Sequence, residues 1–440
     1  MDRFDLIVIG GGMGGYGTAI YAAKQNLKTL LIEKNKLGGT CLNRGCIPAK
    51  VYLESIHRFT ELNDLSKFGI NIKSEQIIED LFEIDLEKLR VRKERIVQAL
   101  VSGVERLLTS SGVTVIKGIA ELSSDKIVTV EKSQEFTAEN IIIATGSEPF
   151  ELSQFKFDGK LILSSNDALD LKFIPAKLAI IGGGAIGCEF AEIYSGLGSD
   201  VTIFEMMPKI LPTLDTGIVK RFTPILKKKG IKILTGTKID KVEKSTNTVL
   251  LKYGDESDTF DSVLVSIGRR VNLNGVPDEV AKTDSGLIKV NGKMETNLPG
   301  IFAVGDVTGV QMLAHSAVAQ GQVVIHNIIN NSDLEFKPEH VPFVVYTSPE
   351  VAGVGYSEET ARELFGEIKT GNFTFRSLGR ALAEEEVNGL VKVIGKDNKI
   401  LGVHIFGKSA GEIIHSAVPF IANNIKIDQV FKTVFAHPTL

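Results

Sequence analysis

The stretch DLIVIGGGMGGYGTAIYAAKQNLKTLLIEK (residues 5–34) decides how this chain folds. A short apolar run ends on glycines, a segment rich in small residues follows, a second apolar run comes next, and Glu33 closes it. With Gly10, Gly12 and Gly15 in a G-x-G-x-x-G frame, this is the βαβ dinucleotide fingerprint. The first glycine makes a tight turn, the second admits a pyrophosphate, and the third lets helix and strand pack closely. The helix N-terminus presents unsatisfied N–H groups and the positive end of its dipole to the phosphates. Glu33, at the end of the second strand, is placed to accept hydrogen bonds from an adenosine ribose; the plain alternative is a solvated strand end.

The pattern returns in KLAIIGGGAIGCEFAEIYSGLGSDVTIFEM (177–206). Shifted by 172 residues, Gly10 falls on Gly182, Gly12 on Gly184, Gly15 on Gly187 and Glu33 on Glu205. A lone glycine turn is weak evidence; two complete copies with strand, helix and acid at equal spacing define two dinucleotide sites. One enzyme rarely needs two nicotinamides, so one site is expected to hold a flavin and the other a nicotinamide dinucleotide.

The rest of the chain supplies a layout. NIIIATGSEP (140–149), DSVLVSIGRR (261–270) and GIFAVGDV (300–307) each read as a strand returning to a sheet, the last with Asp306 at its end. The second dinucleotide segment, 148–267, is then inserted in a discontinuous first domain, 1–147 with 268–338. Residues 339–440 form a third part, with strands in PFVVYTSPEVAGVGY and GLVKVIGKDNKILGVHIFG, a turn at Asp397-Asn398, and helices over 409–423 and 427–434. The fold class is α/β: two Rossmann-like dinucleotide-binding domains, one inserted in the other, followed by an α+β part.

Composition narrows the setting. The 440 residues carry a formal net charge of −4, with 43% hydrophobic and 24% charged residues. That balance gives no general attraction to nucleic acid or anionic lipid. The basic run RVRKER (90–95) reads as the wet face of an amphipathic helix. No secretory signal and no span of about 18 apolar residues is seen, and three cysteines are too few for a secreted disulfide framework. A reducing cytoplasm is the expected location.

In that setting the segment GGTCLNRGCIPAK (38–50) stands out, because it holds Cys41 and Cys46. A zinc reading lacks partners: the spacing is not C-x2-C, and the nearest histidine is His57. Core packing suits a single cysteine such as Cys188. A close pair between glycines, downstream of a dinucleotide fold, fits a redox disulfide better than core packing, which stays the alternative. Residues five apart on a regular helix are too far apart to bridge, more than ~7 Å between Cα atoms. The segment is therefore expected to be distorted or to lie across a helix start, where a thiolate is favoured.

Taken together, GGTCLNRGCIPAK, ATGSEP, GGGAIGCE, SIGRR, FAVGD, MLAHSA, VVYTSPEVAGVG, SAGEII and AHPTL resemble, in order, the pyridine nucleotide–disulfide oxidoreductases, and within them the branch that oxidises dihydrolipoamide. The resemblance implies a redox-active Cys41–Cys46 disulfide, with Cys46 on the flavin side and Cys41 exchanging with substrate. It implies Lys50 against the flavin, paired with Glu189, and His437 as acid–base for the cysteines of a two-fold partner. Gly10, Gly12, Gly15, Glu33, Lys50, Ala120, Thr145, Gly146, Ser147, Asp306, Met312, Leu313, Ala314 and His315 would hold FAD. Gly182, Gly184, Gly187, Glu189, Glu205, Ile239 and Gly268 would hold NAD. Ala314 and His315 would begin a helix. The third part would be the dimerisation domain, and the substrate free dihydrolipoamide or a lipoyl domain, with a 2-oxoacid dehydrogenase or glycine cleavage complex as partner. No metal is implied. A thiol must lose its proton to attack a disulfide, and an imidazole with an ordinary pKa of ~6.5 suits that transfer.

The chain departs from the family pattern in three places. Phe435 stands where the first histidine of His-Ala-His-Pro is usual, Val271 stands where a proline is usual, and the glutamate expected five residues after His437 would lie beyond Leu440. Two rivals follow. One is a related flavin disulfide reductase or mercuric reductase; the latter usually adds a C-terminal cysteine pair not seen here. The other is a non-catalytic structural subunit of a 2-oxoacid dehydrogenase assembly.

Overall fold

The apolar run at the start of the chain forms β1 (Asp2–Ile9), the small-residue segment α1 (Met13–Lys24), and the second apolar run β2 (Thr29–Glu33). β1 and β2 pair in parallel from Leu6–Thr29 to Ile9–Ile32. Leu6, Ile7, Val8, Leu30 and Leu31 are fully buried, which is why these strands read as unbroken apolar runs and not as alternations. The computed structural model describes residues 2–71, 81–170 and 172–440. These fall into two units. The first comprises Met1–Pro48, Arg92–Pro149 and Arg269–Pro338; the second comprises Ala49–Val91, Phe150–Gly268 and Glu339–Leu440.

In the first unit the sheet runs Thr114–Lys117, β2, β1, Gln134–Ile143, Ile127–Val130, Ala120–Leu122. The ten-residue strand Gln134–Ile143 serves two partners besides β1. Its start forms a hairpin with Ile127–Val130, and its end pairs in parallel with Ile301–Ala303, beginning at Ile141–Ile301. α1 packs on the helix Ala314–Asn330 at very short range. A Cβ on Gly14 would lie 3.0 Å from that of Ala317, and one on Gly321 only 1.7 Å from the Thr18 hydroxyl. Glycine at these positions is what allows the two helices to meet.

The second unit repeats the opening motif as Lys177–Ile181, Ala185–Gly196 and Asp200–Glu205. Its parallel sheet runs Lys232–Thr235, Asp200–Glu205, Lys177–Ile181, Ser262–Val265, Ile162–Leu163. A three-stranded antiparallel sheet over 241–260 packs with it, Phe204 meeting the edges of Tyr253 and Phe260 at centroid distances of 4.9 and 5.9 Å. The C-terminal part is an antiparallel sheet in the order Phe343–Val345, Glu350–Gly355, Lys399–Gly407, Leu390–Lys396, Lys369–Thr374. Asp397 and Asn398 make its tight turn with φ of 48° and 64°, the type I′ geometry that suits a twisted hairpin.

Two expectations need correction. The helix read over 409–423 is broken into Ala410–Ile413, a 3-10 turn Ile414–Ser416 and Val418–Ala422. Pro419 sits in the first turn of the last piece, where its missing N–H cannot extend the preceding helix. The second helix spans only Ile427–Phe431. The basic run does lie on a helix, Leu86–Ser110, but Lys93 is buried on it while Leu100 and Leu107 are exposed. The Lys93 stem is covered and its ammonium reaches to 3.9 Å from Glu94. Among the described residues no helix is long and apolar enough to cross a membrane.

Candidate active site

Each unit builds a tight cradle from three equivalent glycines, Gly10, Gly12 and Gly15 in the first and Gly182, Gly184 and Gly187 in the second. Gly10 and Gly182 have φ of 110° and 102°, in the region that side chains avoid. A Cβ on Gly10 would sit 2.3 Å from the Ala144 carbonyl oxygen, and one on Gly182 2.6 Å from that of Ser266. A Cβ on Gly15 would lie 1.7 Å from the Gly10 oxygen, and one on Gly187 2.0 Å from the Gly182 oxygen. The middle glycine is different: a Cβ on Gly184 would meet nothing within 4 Å, and one on Gly12 only Gly39 Cα at 3.8 Å. That open side, at the start of α1 and of Ala185–Gly196, fits a pyrophosphate in both units.

The acids are placed alike as well. Glu33 accepts hydrogen bonds from the N–H groups of Gly11 (2.6 Å) and Asn35 (2.7 Å). Glu205 accepts them from Gly183 (2.7 Å) and Met207 (2.7 Å). Each carboxylate therefore braces its own glycine turn. With about four acceptor positions per carboxylate, capacity remains for ribose hydroxyls. This bracing is local, between residues 22 and two apart, and was not read from the sequence.

The cysteine segment is pressed against the first cradle. Gly38 and Gly39 have φ of 95° and 60°, and a Cβ on Gly39 would lie 2.6 Å from Gly12 Cα. This close approach explains the glycine pair before the cysteines. α2 (Gly39–Arg44) carries Cys41, Gly45 breaks the helix with φ −153° and ψ −112°, and α3 (Cys46–Glu61) starts on Cys46. The break lies between the two cysteines, which a regular helix would hold too far apart to bridge. Both cysteines are half-buried. Cys46 at the first position of a 16-residue helix has the positive end of the dipole beside it. Burial raises the Tyr16 phenol, and the Cys41 charge raises it further. Cys188, by contrast, is fully buried and its thiol is pushed far up by desolvation, as a packing cysteine should be.

Thr145, Gly146, Ser147 and Asp306 gather in the first unit. The Thr145 hydroxyl donates to the Asn272 carbonyl at 2.6 Å, and Asn272 N–H donates to the Gly146 carbonyl at 2.9 Å. The Ser147 hydroxyl donates to Asp306. Arg269, passed over in the sequence reading, donates from Nε to the Ser147 hydroxyl (2.6 Å) and from Nη2 to the Ser147 carbonyl (2.8 Å) and Thr40 hydroxyl (3.3 Å).

In the second unit Lys50 donates to both oxygens of Glu189, at 2.9 and 2.8 Å. Its ammonium also lies 4.2 Å from the centre of the Tyr346 ring. Glu189 accepts the Tyr346 N–H at 3.0 Å. One helical turn along, the buried Glu192 accepts from Lys229 (2.8 Å) and the Ser348 N–H (2.8 and 3.0 Å) and meets His57 Nε2 at 3.2 Å. Those hydrogen bonds hold its carboxyl low against the burial that would raise it.

The remaining candidates are scattered. Ala120 and Ile239 are buried in the two cores. Gly268 has φ of 124°. Leu313 caps the helix Ala314–Asn330, Ala314 begins it as expected, and Met312 and His315 are exposed. His437 is exposed on the terminal segment, where Phe431 and Val434 are 91% and 94% exposed.

Comparison with known proteins agrees with this geometry. Residues 4–321 match the family model described as pyridine nucleotide-disulphide oxidoreductase, and residues 341–440 match that family's dimerisation domain. A dihydrolipoyl dehydrogenase of Bacillus subtilis is 38% identical over 99% of this chain and 96% of that relative. One from Thermus scotoductus is 39% identical over 100% and 95%. Among solved structures, LpdA from Mycobacterium tuberculosis superposes with a TM-score of 0.90 at 24% identity, covering 100% of this chain and 97% of that one. The chain belongs to the pyridine nucleotide–disulphide oxidoreductases and is an oxidoreductase carrying the family's dimerisation domain.

Proposed function

We propose that the protein oxidises dihydrolipoamide to lipoamide through a Cys41–Cys46 disulfide and reduces NAD, with FAD bound between the two half-reactions. The observation that carries the proposal is the cysteine segment seated on the first glycine cradle, with a helix break between the sulfurs. Full-length likeness to dihydrolipoyl dehydrogenases supports the substrate.

Gly10, Gly12, Gly15, Glu33, Thr145, Gly146, Ser147 and Asp306 would hold FAD, and Gly182, Gly184, Gly187 and Glu205 NAD. We read 1–147 with 268–338 as the flavin part, 148–267 as the NAD part and 339–440 as the dimer part. When bound, FAD accepts an electron pair from the dithiol and delivers a hydride to NAD. The protein's own groups do the thiol chemistry. The partner subunit's His437 takes a proton from one substrate thiol. The resulting thiolate attacks Cys41 Sγ of the disulfide, and Cys46 leaves as a thiolate. The second substrate thiol then attacks the substrate sulfur of the mixed disulfide, its proton passing to the departing Cys41 sulfur, so that lipoamide closes and Cys41 is released as a thiol. Cys46 keeps its negative charge at the helix N-terminus, and Lys50, held by Glu189, adds a positive charge one turn along α3.

Glu205 supports NAD over NADP, because a 2′-phosphate would face a carboxylate; the expected discrimination is at least ~3 kcal/mol, above ~100-fold in kcat/KM. The exposed apolar terminal segment around Phe431 and Val434 supports a homodimer. The test is NADH formation from free dihydrolipoamide, against NADP, glutathione and mercuric ion as alternative reactants. Turnover of dihydrolipoamide with NAD is expected; activity confined to another disulfide or to the metal ion would overturn the substrate.

A further inference from the structure

Arg269 occupies an unusual position in the first unit. Its side chain is 13% exposed, and its guanidinium joins three segments distant in sequence. It bonds Ser147 twice, lies 3.6 Å from the Asp306 carboxylate that Ser147 also bonds, and reaches Thr40. Thr40 is the residue before Cys41, in the first turn of α2.

We infer that Arg269 is a positioning residue for the cysteine pair, tying the cysteine helix to the Ser147–Asp306 pair and supporting the Cys46 thiolate with its fixed charge. The inference rests on the redox reading of Cys41 and Cys46 given above. Two independent features carry it. The hydrogen bonds fix where α2 stands relative to Asp306. The second is electrostatic: burial lowers the Arg269 pKa, Asp306 raises it, Arg44 lowers it and the Cys46 charge raises it. Coupling between two charges is reciprocal, so a thiolate that favours the guanidinium is favoured by it equally. Arginine stays cationic even when half-desolvated, so its charge is constant over the pH range of thiol chemistry.

The other charged or titrating groups around this segment are Arg44, Cys41, Tyr16, Glu148, Asp306 and, one turn along α3, Lys50. Asp306 and Glu148 favour the thiol; Arg44 and Lys50 favour the thiolate. Arg44 is exposed, and Lys50 is offset by Glu189. Arg269 combines burial with a hydrogen bond into the cysteine segment.

The test titrates the Cys46 thiolate in the two-electron-reduced holoprotein, read as long-wavelength absorbance against pH. Arg269→Gln keeps an N–H donor and removes the charge; Arg269→Met removes both; Arg269→Lys keeps the charge. Loss of one nearby cation should raise the midpoint by about one pH unit in the Gln and Met variants. The Lys variant should stay near wild type. A pH series of iodoacetamide alkylation at Cys46, read by mass spectrometry, follows the same thiolate without the flavin, so a variant that loses FAD is judged on the same midpoint. Gln and Met variants with the wild-type midpoint overturn the role of Arg269. A wild-type protein with no long-wavelength absorbance, and with Cys46 alkylation unaffected by reduction, overturns the redox reading itself.

Discussion

Lys50 and Glu189, 139 residues apart in the chain, form a two-pronged ion pair with N–O distances of 2.9 and 2.8 Å. Glu189 is also fixed by the Tyr346 N–H, so the carboxylate serves as a socket for the ammonium. Glu189→Gln keeps an acceptor for Tyr346 but removes the charge that holds Lys50. The expected result is a folded protein whose turnover falls at least ~10-fold, with a stability loss of about 1–3 kcal/mol. Steady-state rates and a denaturant titration check both; unchanged turnover would remove Lys50 from the site.

The three glycines of each cradle should separate under substitution. Gly187→Ala forces a Cβ to 2.0 Å from the Gly182 oxygen and should destabilise the second unit. Gly184→Ala meets nothing within 4 Å and has φ of −72°, so its thermal midpoint should match wild type. It should nevertheless raise the KM for NAD ~10-fold or more, because the methyl fills the space read as belonging to the pyrophosphate. An unchanged KM would place NAD elsewhere.

Buried Asp215 and Lys392 form an ionic cluster with the half-buried Glu358 in the second unit, with Lys392 Nζ 2.8 Å from Asp215 and 2.6 Å from Glu358. Burial alone would raise the Asp215 carboxyl; the bonds from Lys392 and the Glu358 N–H hold it below the ordinary carboxylate range. Burial alone would lower Lys392; its two carboxylate partners raise it. The Asp215 contribution is therefore complete above about pH 4 and is lost as pH falls through the depressed value. The Lys392 contribution is complete below about pH 10 and is lost as pH rises through the raised value. Lys392→Met strands Asp215 and should cost about 3–5 kcal/mol, most of which Asp215→Asn in the same chain restores. Denaturant titrations of the single and double variants check this; additive losses would contradict it.

Mixed dimers test the acid–base. Cys46→Ser and His437→Ala homodimers should each be nearly inactive. If His437 serves the partner's cysteines, random exchange makes about half the dimers mixed, each with one intact site, and about a quarter of wild-type activity returns. Activity that stays at the level of the single variants would place His437 in its own chain's site.

The two βαβ units were legible because Gly15 packs on Gly10, and Gly187 on Gly182, within one turn and its helix; the approach of Gly10 to Ala144 and of Gly182 to Ser266 is long-range and left no local mark. The interruption in the cysteine segment was legible from the five-residue spacing of Cys41 and Cys46, whereas the approach of Gly39 to Gly12 was not. Arg269 and Thr40 are 229 residues apart, and Glu192 and Ser348 are 156 apart. No local period marks such pairs, and an arginine or glutamate in an ordinary strand or helix looks solvated until its partners are placed. The broken helices after residue 409 were misread because apolar spacing ran through Pro419 without registering its missing N–H.

Electrons from dihydrolipoamide are expected to pass through Cys41 and Cys46. The direct measurement is differential alkylation of the anaerobic oxidised protein before and after one equivalent of dihydrolipoamide, without NAD, followed by addition of NAD. Samples alkylated after reduction should carry two new alkylated thiols per chain, mapped by mass spectrometry to Cys41 and Cys46, and samples given NAD before alkylation should form NADH and carry neither. NADH formation with the alkylation of both cysteines unchanged throughout would contradict this path.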